Sequence, residues 1–494
     1  MSNKISLPSG VIAVEAEYKE QFLDEYNNNP FIEALPTIKR KEEIIKILGN
    51  TIKPNNKEIN LDYSIRLHLL QRIYKIFQPL PIHLKVWNMI DTLIRQGYVG
   101  RNPFCQKYKR HINKLGNNLI NKEFSMNVES DFITTSSCGI IIGFSGMGKT
   151  TIVNKVLENI PQVIAHNTYK NEDFNSVQVS WIKLEAPHNS SLKALTLQFF
   201  MKIDNLLGTE NMKRYAIKNL SVDAMLPLMG QVSNNIGLGL LVIDELQHLD
   251  KNTSQIMNYF VALMNTFGVP ILLIGTPACY DMLQTEMRIA RRVTGSGEII
   301  WNNMKNDNEF KLFMKGIWNC QYLKYPIKLD EDIISLFYEK TQGISDLVVK
   351  LFINTQRVAI ERNIEKITKS LVEKVWDKEF KLLKPMINSI ATNNKVRMFK
   401  YSDIRVLDNE IDYEKINIRI ENIKENNIIN KESTEKHKKK LDHIKPKIKV
   451  DDLEKNDFRR IVIEGMKEEK SNYQTLKERG VIVSLYTLLK EGFL

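Results

Sequence analysis

The run Gly143-Phe144-Ser145-Gly146-Met147-Gly148-Lys149-Thr150 constrains this chain more than any other eight residues in it. It fits G-x-x-x-x-G-K-[ST] in full. Its glycines let the backbone curl so that successive N–H groups point at anionic oxygens. The apolar stretch 140–142 before it reads as a strand and 151–160 after it as a helix, whose positive N-terminal end faces the same charge. In that context the spacing predicts a phosphate cradle over 143–150. Lys149 should reach the β- and γ-phosphates of ATP, and the Thr150 hydroxyl should belong to the Mg²⁺ shell.

A second motif lies about ninety-five residues on, where 240–245 (LLVIDE) is an apolar strand ending in two acids. At the C-terminal edge of a parallel strand, Asp244 can hold Mg²⁺ through a water. Glu245 is suited to polarising the water that attacks the γ-phosphate. The strand at 269–275 ends in Gly275-Thr276-Pro277. Thr276 has two readings that can both hold: a hydroxyl that senses the γ-phosphate, or a helix N-cap with Pro277 at the first helical position. Arg288, Arg291 and Arg292 follow on a short helix. They are candidates for an arginine that neutralises transition-state charge in a neighbouring subunit, for an exposed basic face, or for a DNA-contacting patch.

Apolar runs at 138–143, 177–184, 239–243, 269–275 and 298–301 alternate with helical patterns, which predicts an α/β fold with a parallel sheet covered on both faces. We divide the chain accordingly. Residues 1–130 form a mainly helical N-terminal region punctuated by prolines. Within it, 61–77 places Leu61, Ile65, Leu69, Ile73 and Phe77 on one face of an amphipathic helix. Residues 131–304 are the nucleotide-binding domain. Residues 305–400 are all-helical, with long helices expected at 344–362 and 368–383. A charged linker covers 401–455, with eight lysines against three acids in 431–450. Residues 456–494 are a terminal piece where apolar pattern returns.

Lys and Arg number 70 against 58 Asp and Glu, a net charge of +12. That excess favours a polyanionic partner, nucleic acid above all, and serves solubility equally well. Cys105, Cys138, Cys279 and Cys320 are scattered without metal-ligand or disulfide spacing, as in a reducing cytosol. No apolar run approaches the length of a membrane span, and the short apolar stretch at 11–14 is a poor secretory signal. A soluble, cytoplasmic protein is expected.

The order of glycine-rich loop, strand-Asp-Glu, strand-Gly-Thr-Pro, basic helix and all-helical piece resembles the AAA+ ATPases, whose helical lid closes over the nucleotide. Longer stretches are similar to the TnsC family, ATP-dependent regulators of heteromeric cut-and-paste transposons in bacteria. They are LLVIDELQHL (240–249), LLIGTP (272–277), ARRVTGSGEIIW (290–301), NPFIEALP (29–36), FQPL (77–80), GYVGRNP (97–103), HNSSLK (188–193), DLVVKLF (346–352), YSD (401–403) and GVIVSLYTLLK (480–490). This resemblance implies an AAA+ P-loop NTPase with a C-terminal lid at 305–400 and an ATP site formed by Gly143 to Thr151, Asp244, Glu245 and Thr276. It implies a homo-oligomeric ring or filament on duplex DNA, held mostly by backbone contacts. It also implies a bridge from a target-selection protein, met by 1–130, to integrase-type and endonuclease-type transposase subunits, the latter met by 456–494. ATP hydrolysis would release the assembly. In such ATPases the stretch between the strands at 177–184 and 239–243 faces a central channel, so Lys193, Lys213 and Arg214 are DNA-binding candidates or ordinary surface cations. One departure stands out: Gly343-Ile344-Ser345-Asp346 offers no sensor arginine, and Lys350, one turn on, is the substitute at hand. Two other classes remain open, an AAA+ signalling or remodelling NTPase without DNA and an origin-initiator-like ATPase.

Overall fold

The computed structural model describes residues 4–7, 9–121, 132–216, 221–249, 253–283, 291, 294–392 and 401. The chain divides into two units, Met1–Leu407 and Asp408–Leu494, and the second lies wholly outside the described residues. The stretches 405–455 and 456–494, together with Arg288 and Arg292, lie outside them too.

Among the described residues, strands β1 (Lys4–Ser6) and β2 (Ile12–Glu15) come first, and β3 (Cys138–Gly143) runs into the glycine-rich loop. Then come β4 (Val163–Tyr169), β5 (Glu172–Val179), β6 (Trp181–Glu185), β7 (Leu240–Asp244), β8 (Ile271–Gly275) and β9 (Glu298–Trp301). Five of these form a parallel sheet in the order β6-β7-β8-β3-β9. Its three inner strands, β7, β8 and β3, are buried along their whole length because both faces are covered. Ile141, Val242, Leu272 and Ile274 share one core with Val86, Ile90 and Leu93 of helix α1 (Pro81–Val99) and with Ile152 and Val153 of α2 (Lys149–Leu157). Their strand neighbours Ile140, Ile142, Leu241, Ile243 and Leu273 share the other core. There they join Phe199 of α3 (Leu192–Leu207), Met229 of α4 (Val222–Asn235) and Phe260 of α5 (Thr253–Phe267).

Register decides where the chemistry falls. Ile142 pairs with Gly275, Ile243 with Leu273, and Glu185 with Asp244. The loop after β3, the acids closing β7 and Thr276 after β8 therefore emerge along one C-terminal edge, where open α/β sheets bind ligands.

The N-terminal residues share this core. Helix α1 lies so close to the sheet that a Cβ on Gly97 would stand 2.1 Å from Pro270 Cγ. The apolar stretch at 11–14 is a strand: β2 pairs in parallel with β4, Val14 opposite Ile164, in a second sheet ordered β1-β2-β4-β5. The single strand expected at 177–184 is two. β5 belongs to this second sheet and β6 to the first, and the chain changes sheets at fully buried Ser180, whose N–H donates to Gln162 O.

The amphipathic stripe read across 61–77 is also corrected. The segment is an α-helix over Tyr63–Leu69 that tightens to a 3₁₀ turn over Leu70–Lys75. The stripe is already broken within the α-helical part, where Ile65 is exposed and Arg66 buried; Leu61 is exposed too, while Leu70 and Ile73 are buried. Arg66 makes a two-pronged ion pair with buried Glu365, 2.8 Å (Nη1 to Oε2) and 2.6 Å (Nη2 to Oε1), a geometry that tolerates burial because both oxygens are satisfied.

Helices α6 (Asn308–Trp318), α7 (Glu331–Thr341), α8 (Ser345–Glu361), α9 (Lys369–Glu379) and α10 (Lys384–Ala391) build the helical C-terminal part. The helix expected at 368–383 stops at Glu379 and restarts at Lys384, where Pro385 sits in the first turn and needs no intrahelical donor partner. No described helix is long and apolar enough to cross a membrane.

Candidate nucleotide site

The loop after β3 wraps because Gly146 and Gly148 adopt φ of +80° and +93°, left-handed values that disfavour side chains. Phe144 and Met147 anchor it as buried side chains, while Ser145 is exposed. Gly148 caps α2, and Lys149 follows as its first residue. The Lys149 ammonium, 9% exposed, donates to Gly143 O at 2.7 Å and Phe144 O at 2.9 Å, folded back across the loop. Thr150 Oγ1 donates to Asp244 Oδ2 at 2.9 Å, and Thr151 stands exposed on the next position. Loop and acid strand thus meet directly.

Asp244 is buried, and its Oδ1 accepts the N–H of Glu245 at 2.9 Å. Glu245 has φ of +57°, a left-handed conformation that is strained for a side-chain-bearing residue and turns its carboxylate off the strand direction. Gln247 Nε2 donates to Glu245 Oε2, and Gln247 Oε1 accepts the Thr276 N–H at 3.1 Å. The backbone donor settles which end of that amide faces which group, so an NH₂ group meets the carboxylate. Thr276 occupies the N-cap position before Pro277, yet its side chain makes no capping bond. Its hydroxyl is buried without a hydrogen-bond partner. Of the two readings of Thr276, the capping bond is not made and the unsatisfied donor remains.

The start of α8 closes the other side. Ser345 Oγ donates to Gly146 O at 2.8 Å and Asp346 N donates to the same oxygen at 3.0 Å, so the start of α8 is docked on the loop. Lys350 pairs with Asp346 at 2.6 Å. Between the loop and α8 lies a cavity of about 250 Å³, whose lining includes Gly148, Thr151, Phe77, His83, Trp301 and Met304. Burial pushes the His83 imidazole down to about 3, and its Nδ1 accepts the Leu80 N–H, so it faces the cavity as a neutral ring. The lining brings Gly146, Thr151 and Ser345 together with the rings of Phe77, His83 and Trp301, a mix of polar groups and apolar surface suited to a nucleotide.

The remaining candidates stand as follows. Arg291 is exposed. Lys193 is half-buried in the first turn of α3, where Ser191 caps the helix by accepting Ala194 N–H at 3.1 Å. Lys213 and Arg214 are exposed, Lys213 paired with Glu210 at 2.5 Å. Sequence reasoning missed Gln247, Asn154 and Lys183. Lys183 Nζ lies 2.8 Å from Asp244 Oδ2 and 3.0 Å from Asn154 Oδ1. The one local signal for it is the strand alternation that sets Trp181, Lys183 and Glu185 on the less buried face of β6.

Sheet order, glycine-rich loop and acid strand together define the AAA P-loop fold, an α/β class. Residues 133–283 match the family model described as an AAA domain. No curated protein matches the sequence. Among solved structures, the chain is similar to the Aeropyrum pernix ORC1 protein in complex with DNA, at 15% identity and a TM-score of 0.33 over 57% of this chain and 68% of that one. It is similar to Drosophila ORC bound to DNA, at 12% identity and a TM-score of 0.32 over 58% of this chain and 65% of that one. It is similar to domain III of the Thermotoga maritima replication initiation protein DnaA, at 11% identity and a TM-score of 0.28 over 55% of this chain and 91% of that one. These are likenesses of fold at most.

Proposed function

We propose that the chain is an ATP-hydrolysing AAA+ regulator of transposition. It binds ATP with Mg²⁺, gathers on duplex DNA as a ring or filament of its own copies, and couples a target-selection protein to transposase subunits. The observation that carries the ATPase reading is the meeting of Lys149, Thr150, Asp244, Glu245 and Thr276 at one sheet edge, with a buried hydroxyl left for a ligand to satisfy. Lys149 would trade loop carbonyls for phosphate oxygens, Thr150 and Asp244 would hold the metal, Glu245 would orient the attacking water, and Thr276 would donate to the γ-phosphate. When bound, Mg²⁺ supplies neutralisation of phosphate charge. An arginine among Arg288, Arg291 and Arg292 is our candidate to act in trans on the site of an adjoining copy.

The DNA and transposase readings are supported by the net charge of +12 and by the family-like stretches that lie outside the ATPase core. A regulator that works at varied sites grips the backbone, with Lys193, Lys213 and Arg214 as the cations offered. The test is a gel shift on random duplex at fixed salt. A non-hydrolysable ATP analogue should be required for binding, and binding should fall steeply with added salt. Absent binding would instead favour a remodelling NTPase that acts without DNA, and binding that ignores nucleotide would overturn ATP-gated assembly on the duplex.

Thr276→Val keeps the volume and removes the donor. The kcat/KM for ATP hydrolysis should fall about tenfold, the worth of one hydrogen bond to a charged group. Thermal melting of the nucleotide-free protein should not drop, because the hydroxyl removed is one that burial leaves unsatisfied. Steady-state kinetics with a melting curve checks both halves.

A further inference from the structure

Asp244 Oδ2 is shared. It accepts the Thr150 hydroxyl at 2.9 Å and stands 2.8 Å from the Lys183 ammonium, in an ion pair whose lysine is 17% exposed and whose aspartate is 4% exposed at the side chain. Lys183 comes from β6, the edge strand, and reaches diagonally across the sheet face, since the residue beside Asp244 in register is Glu185. Its other partner, Asn154 Oδ1 at 3.0 Å, belongs to α2 four residues beyond Thr150 and so lies on the same helix face. The carboxylate that would serve the divalent cation is therefore already neutralised by a cation of the chain itself.

We propose that Lys183 is an internal counter-cation that competes with Mg²⁺ for Asp244 and so sets how much metal the site needs. This rests on the ATP-Mg²⁺ reading of the site. Two positive groups drawn to one buried carboxylate repel each other strongly where the effective dielectric is low. Metal entry then requires the ammonium to retreat. The geometry provides room and partners for that retreat. Asn154 holds Lys183 independently of Asp244. An open groove of about 790 Å³ along β6 is lined by Lys183, Asn154 and Glu185, with Gln198 and Lys202 of α3 across from them. Glu185, exposed and two positions along the same strand face, is the next carboxylate in line. The ammonium thus exchanges a buried partner for the β6 edge as metal arrives, linking the metal state of the site to the charge exposed at the edge of the sheet.

The test uses the full chain and a ribose-labelled fluorescent ATP. Mg²⁺ is titrated at fixed nucleotide, and nucleotide affinity is measured separately in EDTA. Lys183→Met, which keeps the stem and removes the charge, should lower the half-saturating Mg²⁺ concentration about tenfold and change the metal-free affinity less than about twofold. Lys183→Arg, which keeps the charge, should leave half-saturation within about twofold of the parent. With Asp244→Asn in the background, Lys183→Met should lose its effect, because the shared carboxylate is gone. Half-saturation that is unchanged or raised in Lys183→Met would overturn the proposal, and so would equal shifts in the Met and Arg variants, which would report packing rather than charge. If the parent protein binds no nucleotide at all, the ATP reading fails first, and Lys183 reverts to a structural ion pair.

Discussion

Lys149→Ala is expected to weaken ATP binding by about a hundredfold or more and to abolish nucleotide-dependent assembly with it. Two charge-assisted hydrogen bonds to phosphate oxygens are lost, each worth roughly 1.5–3 kcal/mol, and about 1.4 kcal/mol is a factor of ten in affinity. The rest of the cradle cannot compensate. Gly146 and Gly148 orient backbone N–H groups, but those are fractional charges beside a full ammonium. The substitution also removes the donor to Gly143 O and Phe144 O, so a modest fall in melting temperature of the nucleotide-free protein should accompany it. Equilibrium binding of a fluorescent ATP, with light scattering or sedimentation for assembly, reads both effects. Assembly at parental strength in Lys149→Ala would remove the phosphate role assigned to this lysine.

What could be read from the sequence followed the range of the forces involved. The loop at 143–150 was legible because anion binding dictates its glycines, lysine and threonine locally. The strands at 138–143, 240–244 and 271–275 were legible because burial on both faces makes them apolar throughout. The second sheet was not. Its β5 reads EDFNSVQV and its β4 VIAHNTY, half-exposed strands whose pairing depends on β2, some 150 residues earlier. The 61–77 stripe misled because a buried charge overrode periodicity. Arg66 faces inward to meet Glu365, a partner that no local window contains. The same holds at the site. Asp244 and Thr276 announce themselves at strand ends, whereas Gln247 and Lys183 matter through atoms brought to them by other strands. Thr276 shows what geometry adds: both of its readings fit the sequence, and only the missing capping bond separates them.

Glu245→Gln should separate binding from hydrolysis. Glutamine has the same length and can still accept the Gln247 Nε2 hydrogen bond through its carbonyl oxygen, so the unusual backbone at φ +57° should persist and Lys149, Thr150 and Asp244 should be undisturbed. ATP affinity is therefore expected within about twofold of the parent. Turnover should fall by about a hundredfold to a thousandfold, because an amide polarises water far less than a carboxylate and a positioned base contributes about that much. Slow hydrolysis in turn removes the step assigned to disassembly. DNA-bound assemblies of Glu245→Gln should outlast those of the parent in ATP and match those formed by the parent with a non-hydrolysable analogue. Stopped-flow dissociation from labelled duplex, run beside phosphate release, checks both consequences in one preparation. Parental turnover would take Glu245 out of the chemistry. Slow turnover with fast dissociation would keep it there, and would show that something other than hydrolysis takes the assembly apart.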